Sequence, residues 1–551
     1  MKANSDCTRI DRRTFLRSGA LGSAALFAGS WACSGQTAAK RQGEIPFPAQ
    51  WFAASIPELQ ALMSAGAITS RELTLEYLTR IRSLNPLLNA VIEINPQAFS
   101  IAAGLDTERR AGQVRGPLHG IPVILKDNIA TGDTMQTTAG SLALLNSQVP
   151  GDAALVAQLR EAGAVILGKA NLSEWANFRG DNSYNGWSAR GGFTRCPYLL
   201  SYDPSGSSSG SAVSAAVSLC SVAVGTETDG SIMSPSDHNH VFGLKPTVGL
   251  ISGTGIIPIA HSQDTAGPIT RTVTDAAILL GVLKQGGGDY SGVLRRGALE
   301  GARIGVDLKY FTNSSWGDPP SYPLMQKVLA AMVELGATLV YVNTDPSFLN
   351  NNNEYTVLLY EFKVQIAQYL ATLQNTEART LADLIAFNNS HCTEEMKYFG
   401  QQIFVASEAT SGNLNDPTYT AARAASIQDA RVNGIDGTLN SQSPPLDVLV
   451  APTSSYLYSF AAVAGYPSTS LPVGFRGDRS PVGFCMVGSA WQEAKMLGFA
   501  YDLEQELNAQ VPPQYLGSVP HEPPNAGLCT TPQPKIRGET GNIDWRSRHL
   551  L

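Results

Sequence analysis

Three times along the chain a helix-like segment leads into a short uninterrupted run of apolar residues, and no other feature limits the possible folds as strongly. Ala153–Ala162 ends at Gly163 and gives way to Ala164-Val165-Ile166-Leu167. Residues 323–343 repeat the pattern around Gly336, and after Gly210 the stretch Ser211–Leu219 is followed by Ser221–Val224. A strand apolar on both faces must be covered on both faces, so these runs predict an open α/β sheet with helices packed on either side. No repeat of fixed period accompanies them. Capping boxes at Ser55-x-x-Glu58 and Thr69-x-x-Glu72 predict two earlier helices, stopped by Gly66 and by Asn85-Pro86. Asp152 is read as the cap of the helix that follows it. Residues 353–440 are mostly helical by pattern, Asp447–Val450 returns to a strand, and Gln492–Leu507 forms a last helix. Beyond Val511 the prolines crowd together, and residues 511–551 read as an extended strap or a disordered tail.

With 551 residues, the chain is long enough to bury a sizeable core. Apolar residues at 43% and charged residues at 15% exclude collagen-like, disordered and integral-membrane classes for most of it. Lys and Arg number 39 against 46 Asp and Glu, a net charge of −7, and no basic run outside the N-terminal segment can track a phosphate backbone. Nucleic acid is therefore not an expected partner. Residues 1–33 read as an export signal: Arg12 and Arg13 precede Phe15 and Leu16, and the small-residue apolar run Ser18–Ala32 is too short to span a bilayer. The adjacent arginines resemble a twin-arginine signal, which implies a periplasmic or extracellular protein without a stable membrane span. Lipid attachment through Cys33 ranks second, because Ser30 stands where such sites usually carry Leu. The seven cysteines show no C-x-x-C pair and no histidine at ligand spacing, so no metal site is expected. They read as unreactive buried thiols, any disulfide being incidental.

Chemistry is concentrated between Ser201 and Pro235, where Ser-Gly-Ser-Ser-Ser-Gly-Ser (205–211) precedes Gly-Thr-Glu-Thr-Asp-Gly-Ser-Ile (225–232). A flexible Gly/Ser loop is one reading. Each cluster nevertheless abuts an apolar element, and the ends of strands and helices are where reactive side chains and free amides are presented. Gly206-x-Ser208-x-Gly210 also fits a nucleophile elbow, but two prolines upstream leave little room for the strand that motif needs. A third reading takes its base from Gly120-Ile121-Pro122-Val123-Ile124-Leu125-Lys126-Asp127-Asn128. Burial of Lys126 disfavours its charged form. Neutrality near pH 7 takes a depression of roughly three units from about 10.4, or about 4 kcal/mol. The competing reading is a lysine at a strand end that simply pairs with Asp127.

Together these segments resemble the amidase signature family, over about Ser55 to Gln510. The resemblance rests on residues 120–129, Gly-Lys-Ala-Asn-Leu-Ser-Glu-Trp (168–175), the serine cluster, residues 225–232 and Gly-Leu-Lys-Pro-Thr (243–247). Ser-Gln-Asp-Thr-Ala-Gly-Pro (262–268) and the Thr-Asp before Gly230 are most similar to the bacterial peptide amidases, which remove C-terminal amides; Ala464–Pro467 and Pro481–Gly483 resemble later family segments. The resemblance implies one α/β domain, residues 50–510, with a mixed central sheet covered by helices. It also implies a triad of Lys126 as base, Ser207 as bridging serine after a cis Gly206–Ser207 bond, and Ser231 as nucleophile. Backbone amides of Thr228, Asp229 and Gly230 would bind the oxyanion, Ser208 and Thr226 would support the triad, and no cofactor is needed. Met233 departs from an Arg frequent after the nucleophile, which bears on substrate contacts. The expected activity is hydrolysis of peptide C-terminal amides through an acyl-enzyme. The alternatives are other aliphatic, aryl or cyclic amides, the ammonia-supplying amide-transfer subunit that shares the signature, or a non-catalytic binding protein on the same scaffold.

Overall fold

The computed structural model describes residues 48–530. The export-signal reading and Cys33 fall outside the described residues. In chain order the strands are β1 (Val91–Ile94), β2 (Pro122–Lys126), β3 (Val165–Ala170), β4 (Trp187–Ser188), β5 (Gly192–Phe193), β6 (Val222–Glu227), β7 (Phe242–Lys245), β8 (Thr265–Thr270), β9 (Arg303–Val306), β10 (Thr338–Tyr341), β11 (Val448–Pro452), β12 (Ser468–Phe475) and β13 (Pro481–Val487). Apart from the small β4–β5 hairpin they form one sheet of 11 strands, in the order β1-β3-β2-β6-β8-β7-β12-β13-β11-β9-β10. β2 runs parallel to both β3 and β6, and β9 runs parallel to β10 and β11. The intervening pairs are antiparallel, so the sheet is mixed. Every residue of β2, β3 and β6 is buried, as uninterrupted apolar strands require. Helices flank the sheet: the open α/β layout is the one the helix-to-strand transitions predict and its mixed character the one the family resemblance implies, although β10, the strand of the second transition, is a partly exposed edge strand and is not buried on both faces.

Two local readings need correction. The helix Ser70–Leu88 opens on the Thr69 capping box but runs through Pro86 and ends at Asn89, which adopts a left-handed conformation (φ 48°). Pro86 removes one N–H and leaves a single carbonyl four residues back without its helical donor, yet with only two residues after it the helix is not broken, and the Asn85 side chain holds Val91 through two hydrogen bonds. Asp152 does not cap the helix Ala154–Glu161. Its carboxylate accepts from Gly132 N at 2.7 Å and Arg160 Nε at 2.9 Å, a longer-range clasp that wins over the local cap.

The excursion between β10 and β11 is helical, as its pattern predicts. Leu358, Phe362, Ile366 and Leu370 of the helix Asn353–Thr372 enter an apolar core with Trp175, Phe178 and Phe404. This places the excursion directly over the loop that carries residues 175–178. Residues 511–530 run across the surface: Leu516 exchanges backbone hydrogen bonds with Tyr198 and Leu200, and Ala526 N donates to Lys397 O. Cys529 is disulfide-bonded to Cys392, 137 residues earlier, which corrects the reading of the cysteines as isolated thiols. Their separation in sequence hid the pair. Cys196, Cys220 and Cys485 are free and buried.

Candidate active site

Two parallel neighbours build the site. β2 pairs with β6 so that Leu125 lies opposite Val224, which brings Lys126 and Thr226 side by side at the carboxyl ends of their strands. That edge of an open α/β sheet is where ligands are bound. Ser207 precedes the helix Ser209–Ala216, and Ser231 lies in the turn between β6 and the helix Met233–His238. The Gly206–Ser207 peptide bond is cis.

The side chains meet in one chain of contacts. Lys126 Nζ lies 2.8 Å from Ser207 Oγ, which lies 3.0 Å from Ser231 Oγ. Lys126 also donates to Thr226 O at 3.1 Å and Thr226 Oγ1 at 2.9 Å. Asn128 Nδ2 donates to the same hydroxyl at 3.0 Å. Ser208 does not join the chain: its hydroxyl donates to Thr226 O at 3.0 Å and accepts from Thr226 N, which ties the serine cluster to β6.

Lys126 is fully buried, and burial lowers its pKa to about 7 from 10.5, against the pull of the Glu227 and Asp264 carboxylates. Asp127 is not its partner. That carboxylate turns to the other side, where it accepts from Thr138 Oγ1 at 2.5 Å, Gly140 N at 3.1 Å and Arg190 Nη1 at 3.1 Å. The ion-pair reading of Lys126 with Asp127 is thereby overturned, and the tension between a neighbouring acid and a neutral lysine disappears.

The turn Thr228–Ser231 is held from several directions. Thr228 Oγ1 donates to Asp264 Oδ1 at 2.5 Å, and Asp229 Oδ1 accepts from Ser459 Oγ at 3.0 Å. Gly230 has φ +78°, and a Cβ there would come within 2.8 Å of the Tyr458 ring, so both conformation and space require glycine. Glu227 Oε2 accepts from Ile232 N at 2.6 Å and Met233 N at 2.9 Å, and the Gly230 amide also faces this carboxylate. Burial raises the Glu227 pKa while Lys245, itself lowered to about 8 by burial, opposes that rise. Asn128, Glu227, Asp264, Tyr458 and Ser459 were not singled out from sequence. Asn128 and Glu227 stand inside quoted motifs, whereas Tyr458 and Ser459 come from the far end of the chain.

Ser231, Thr228 and Asp229 line a small cavity of about 30 Å³ beneath Phe178, Tyr355 and Leu358. Ala176, Thr228 and Ile259 also line a larger cavity of about 310 Å³, walled by Val248, Ile251 and Ile257 with Asn128, His261 and Asp264 among its polar groups. A narrow reactive end opening on a roomier, largely apolar chamber is the usual form of a small-molecule site.

A buried lysine and two serines on a mixed α/β sheet define a class of hydrolytic enzyme, and the comparisons agree. The family model described as Amidase matches residues 72–458, and the chain belongs to this family of amide-hydrolysing enzymes. Among its relatives, a putative amidase of Schizosaccharomyces pombe is 40% identical over 508 residues, covering 84% of this chain and 86% of the relative. The native peptide amidase of Stenotrophomonas maltophilia superimposes with a TM-score of 0.79 at 47% identity, covering 84% of this chain and 98% of that one. A structure of a peptide amidase with the competitive inhibitor chymostatin is similarly close, at 46% identity, a TM-score of 0.79 and coverage of 84% and 99%. No helix among the described residues is long and apolar enough to cross a membrane.

Proposed function

We propose that this amidase removes the C-terminal amide from peptides, with Ser231 as nucleophile, Ser207 as proton relay and Lys126 as base. The reading is carried by the unbroken contact chain of 2.8 and 3.0 Å between the buried amine and the two hydroxyls. Neutral Lys126 takes the Ser207 proton as Ser207 takes that of Ser231, a relay open to a hydroxyl because it donates and accepts at once. Ser231 Oγ then attacks the amide carbonyl, and backbone N–H groups of the 228–231 turn other than that of Gly230, which faces Glu227, stabilise the oxyanion; losing one such donor typically costs roughly 3 to 4 kcal/mol. The proton returns through Ser207 to the departing ammonia, and water hydrolyses the acyl-enzyme. The likeness to peptide amidases at 46–47% identity favours peptide amides over aryl or cyclic amides.

Ammonia release from peptide amides, simple alkyl and aryl amides and cyclic amides tests both parts. Wild type is expected to favour the peptide amides, and Ser231→Ala to lose at least about a thousandfold in kcat. Equal release by both proteins removes Ser231 from the mechanism. Export through the twin-arginine segment is part of the same proposal, supported by Arg12-Arg13 and by a disulfide of the kind formed in oxidising compartments. Fractionation of cells expressing wild type and an Arg12→Lys, Arg13→Lys chain is expected to find wild type outside the cytoplasm and the variant inside; identical distribution refutes it.

A further inference from the structure

The helix Pro417–Ile427 continues without a break as a π-helix over Gln428–Ile435. A π turn closes its hydrogen bond one residue later than an α turn. The wider turn keeps Arg431 on the face that already presents Tyr419 and Arg423, four and eight residues apart from one another along the helix axis. All three line a surface pocket of about 460 Å³ with His261, Tyr466 and Trp491. Trp491 holds a left-handed backbone (φ 66°) and is 62% exposed at the rim.

The two guanidinium groups are under-used. Arg431 Nη2 donates to Ala464 O at 2.6 Å, and the group sits 5.2 Å from the centre of the Tyr466 ring. Its Nε is buried without a hydrogen-bond partner, and so is Arg423 Nη1. Among the described residues neither arginine forms an ion pair. The nearby carboxylates make their hydrogen bonds elsewhere: Glu361, whose charge attracts Arg423 without a direct ion pair, accepts from Tyr419 Oη at 2.8 Å and Ser262 N at 3.1 Å, with His261 against it at 3.1 Å. Asp436 accepts from Tyr466 Oη at 2.7 Å and Ser489 Oγ at 3.1 Å. Two like-charged guanidinium groups that act on each other and line one solvent-open pocket without an ion-pair partner are suited to a planar anion with two oxygens.

The pocket adjoins the path to the nucleophile. Val248 and His261 wall both it and the 310 Å³ cavity, which in turn shares Thr228 with the pocket of Ser231. We propose that the Arg423–Arg431 pocket binds a carboxylate of the substrate, the side chain of an acidic residue upstream of the amide that is cleaved. This rests on the peptide-amide reading above, and it makes the enzyme selective for acidic peptide amides.

The test uses the full chain with Ser231→Ala, which binds without turnover, and calorimetric titration with two sets of N-acetyl peptide amides. One set carries a single Glu walked along the peptide, the other Gln at the same places. At one position the Glu peptide is expected to bind about fivefold more tightly, with the preference erased by added Arg423→Gln or Arg431→Gln and by high salt. Equal binding of Glu and Gln peptides at every position overturns the proposal, as does a preference that survives both substitutions, or binding of neither set. Where the arginine variants fail to fold, Trp491 emission decides in the Ser231→Ala protein: Glu but not Gln peptides should alter it, and Trp491→Phe should abolish the change. Identical responses to both peptides sink the proposal. Failure of the peptide-amide reading is separately visible as wild-type release of ammonia from other amides but from no peptide of either set.

Discussion

When neutral, Lys126 has two hydrogens to place and one lone pair to offer. Thr226 accepts at its carbonyl and its hydroxyl, so both hydrogens are held on β6 and the lone pair is left facing Ser207. A pKa lowered to about 7 makes that form available near neutrality. Below pH 7 the amine carries its proton and the relay cannot start, so kcat/KM is expected to rise with pH through a midpoint near 7. Asp264 favours the charged lysine; Asp264→Asn removes that attraction and should shift the rising limb to lower pH, measurable in the pH–rate profile, and a limb that moves upward refutes the assignment. The same depression touches stability. Between pH 7 and 10.5 the unfolded chain binds a proton that the native chain does not, so this residue costs the fold more as pH falls through that window. The abrupt end of an apolar run drew attention to Lys126, whereas Ser207 and Ser231 were singled out only through the family resemblance. Asn128 escaped notice because its partner, Thr226, is 98 residues away, a meeting that only the β2–β6 pairing creates.

At the level of elements, β6 and the helix Met233–His238 are joined by a five-residue turn and a carboxylate that spans it. Glu227 closes β6 yet caps the helix by accepting from Ile232 and Met233, so strand and helix hold Ser231 between them. Glu227→Ala would leave two buried amides without an acceptor and strip Lys245 of its nearby charge. A loss of about 3 kcal/mol in urea unfolding is expected, with kcat reduced more than KM is raised; a change under about 1 kcal/mol would show the cap to be dispensable. The helices and strands themselves were read from apolar spacing because burial on one face or two is written directly into composition. Their ends were less legible. Asp152 is a plausible cap by type, and only the fold reveals that Gly132 and Arg160 compete for it. Pro86 is a plausible stop by type, and only the structure reveals that Ser70–Leu88 continues two residues past it before Asn89 turns left-handed.

On the scale of the whole molecule, the described C-terminal residues are bound to the body at Leu516, Ala526 and Cys529. The Cys392–Cys529 bond closes a loop spanning 137 residues, which restricts the unfolded chain more than the folded one. Replacing both cysteines by serine is expected to lower unfolding free energy by about 2 to 4 kcal/mol with kcat for small amides unchanged, since neither residue lines the cavities at Ser231; an unaltered denaturation midpoint would show the bond to be idle. Pairing at such distance cannot be deduced from spacing, whereas the sheet could be anticipated from three short apolar runs. The mixed sheet has one further consequence for anyone who would retrain this enzyme. Lys126, Thr226 and the turn that carries Ser231 hang from adjoining strands, and a library that disturbs those strands scrambles all of them at once. Diversity is better spent on the helical canopy of residues 353–440, which roofs the reaction chamber without sharing its backbone.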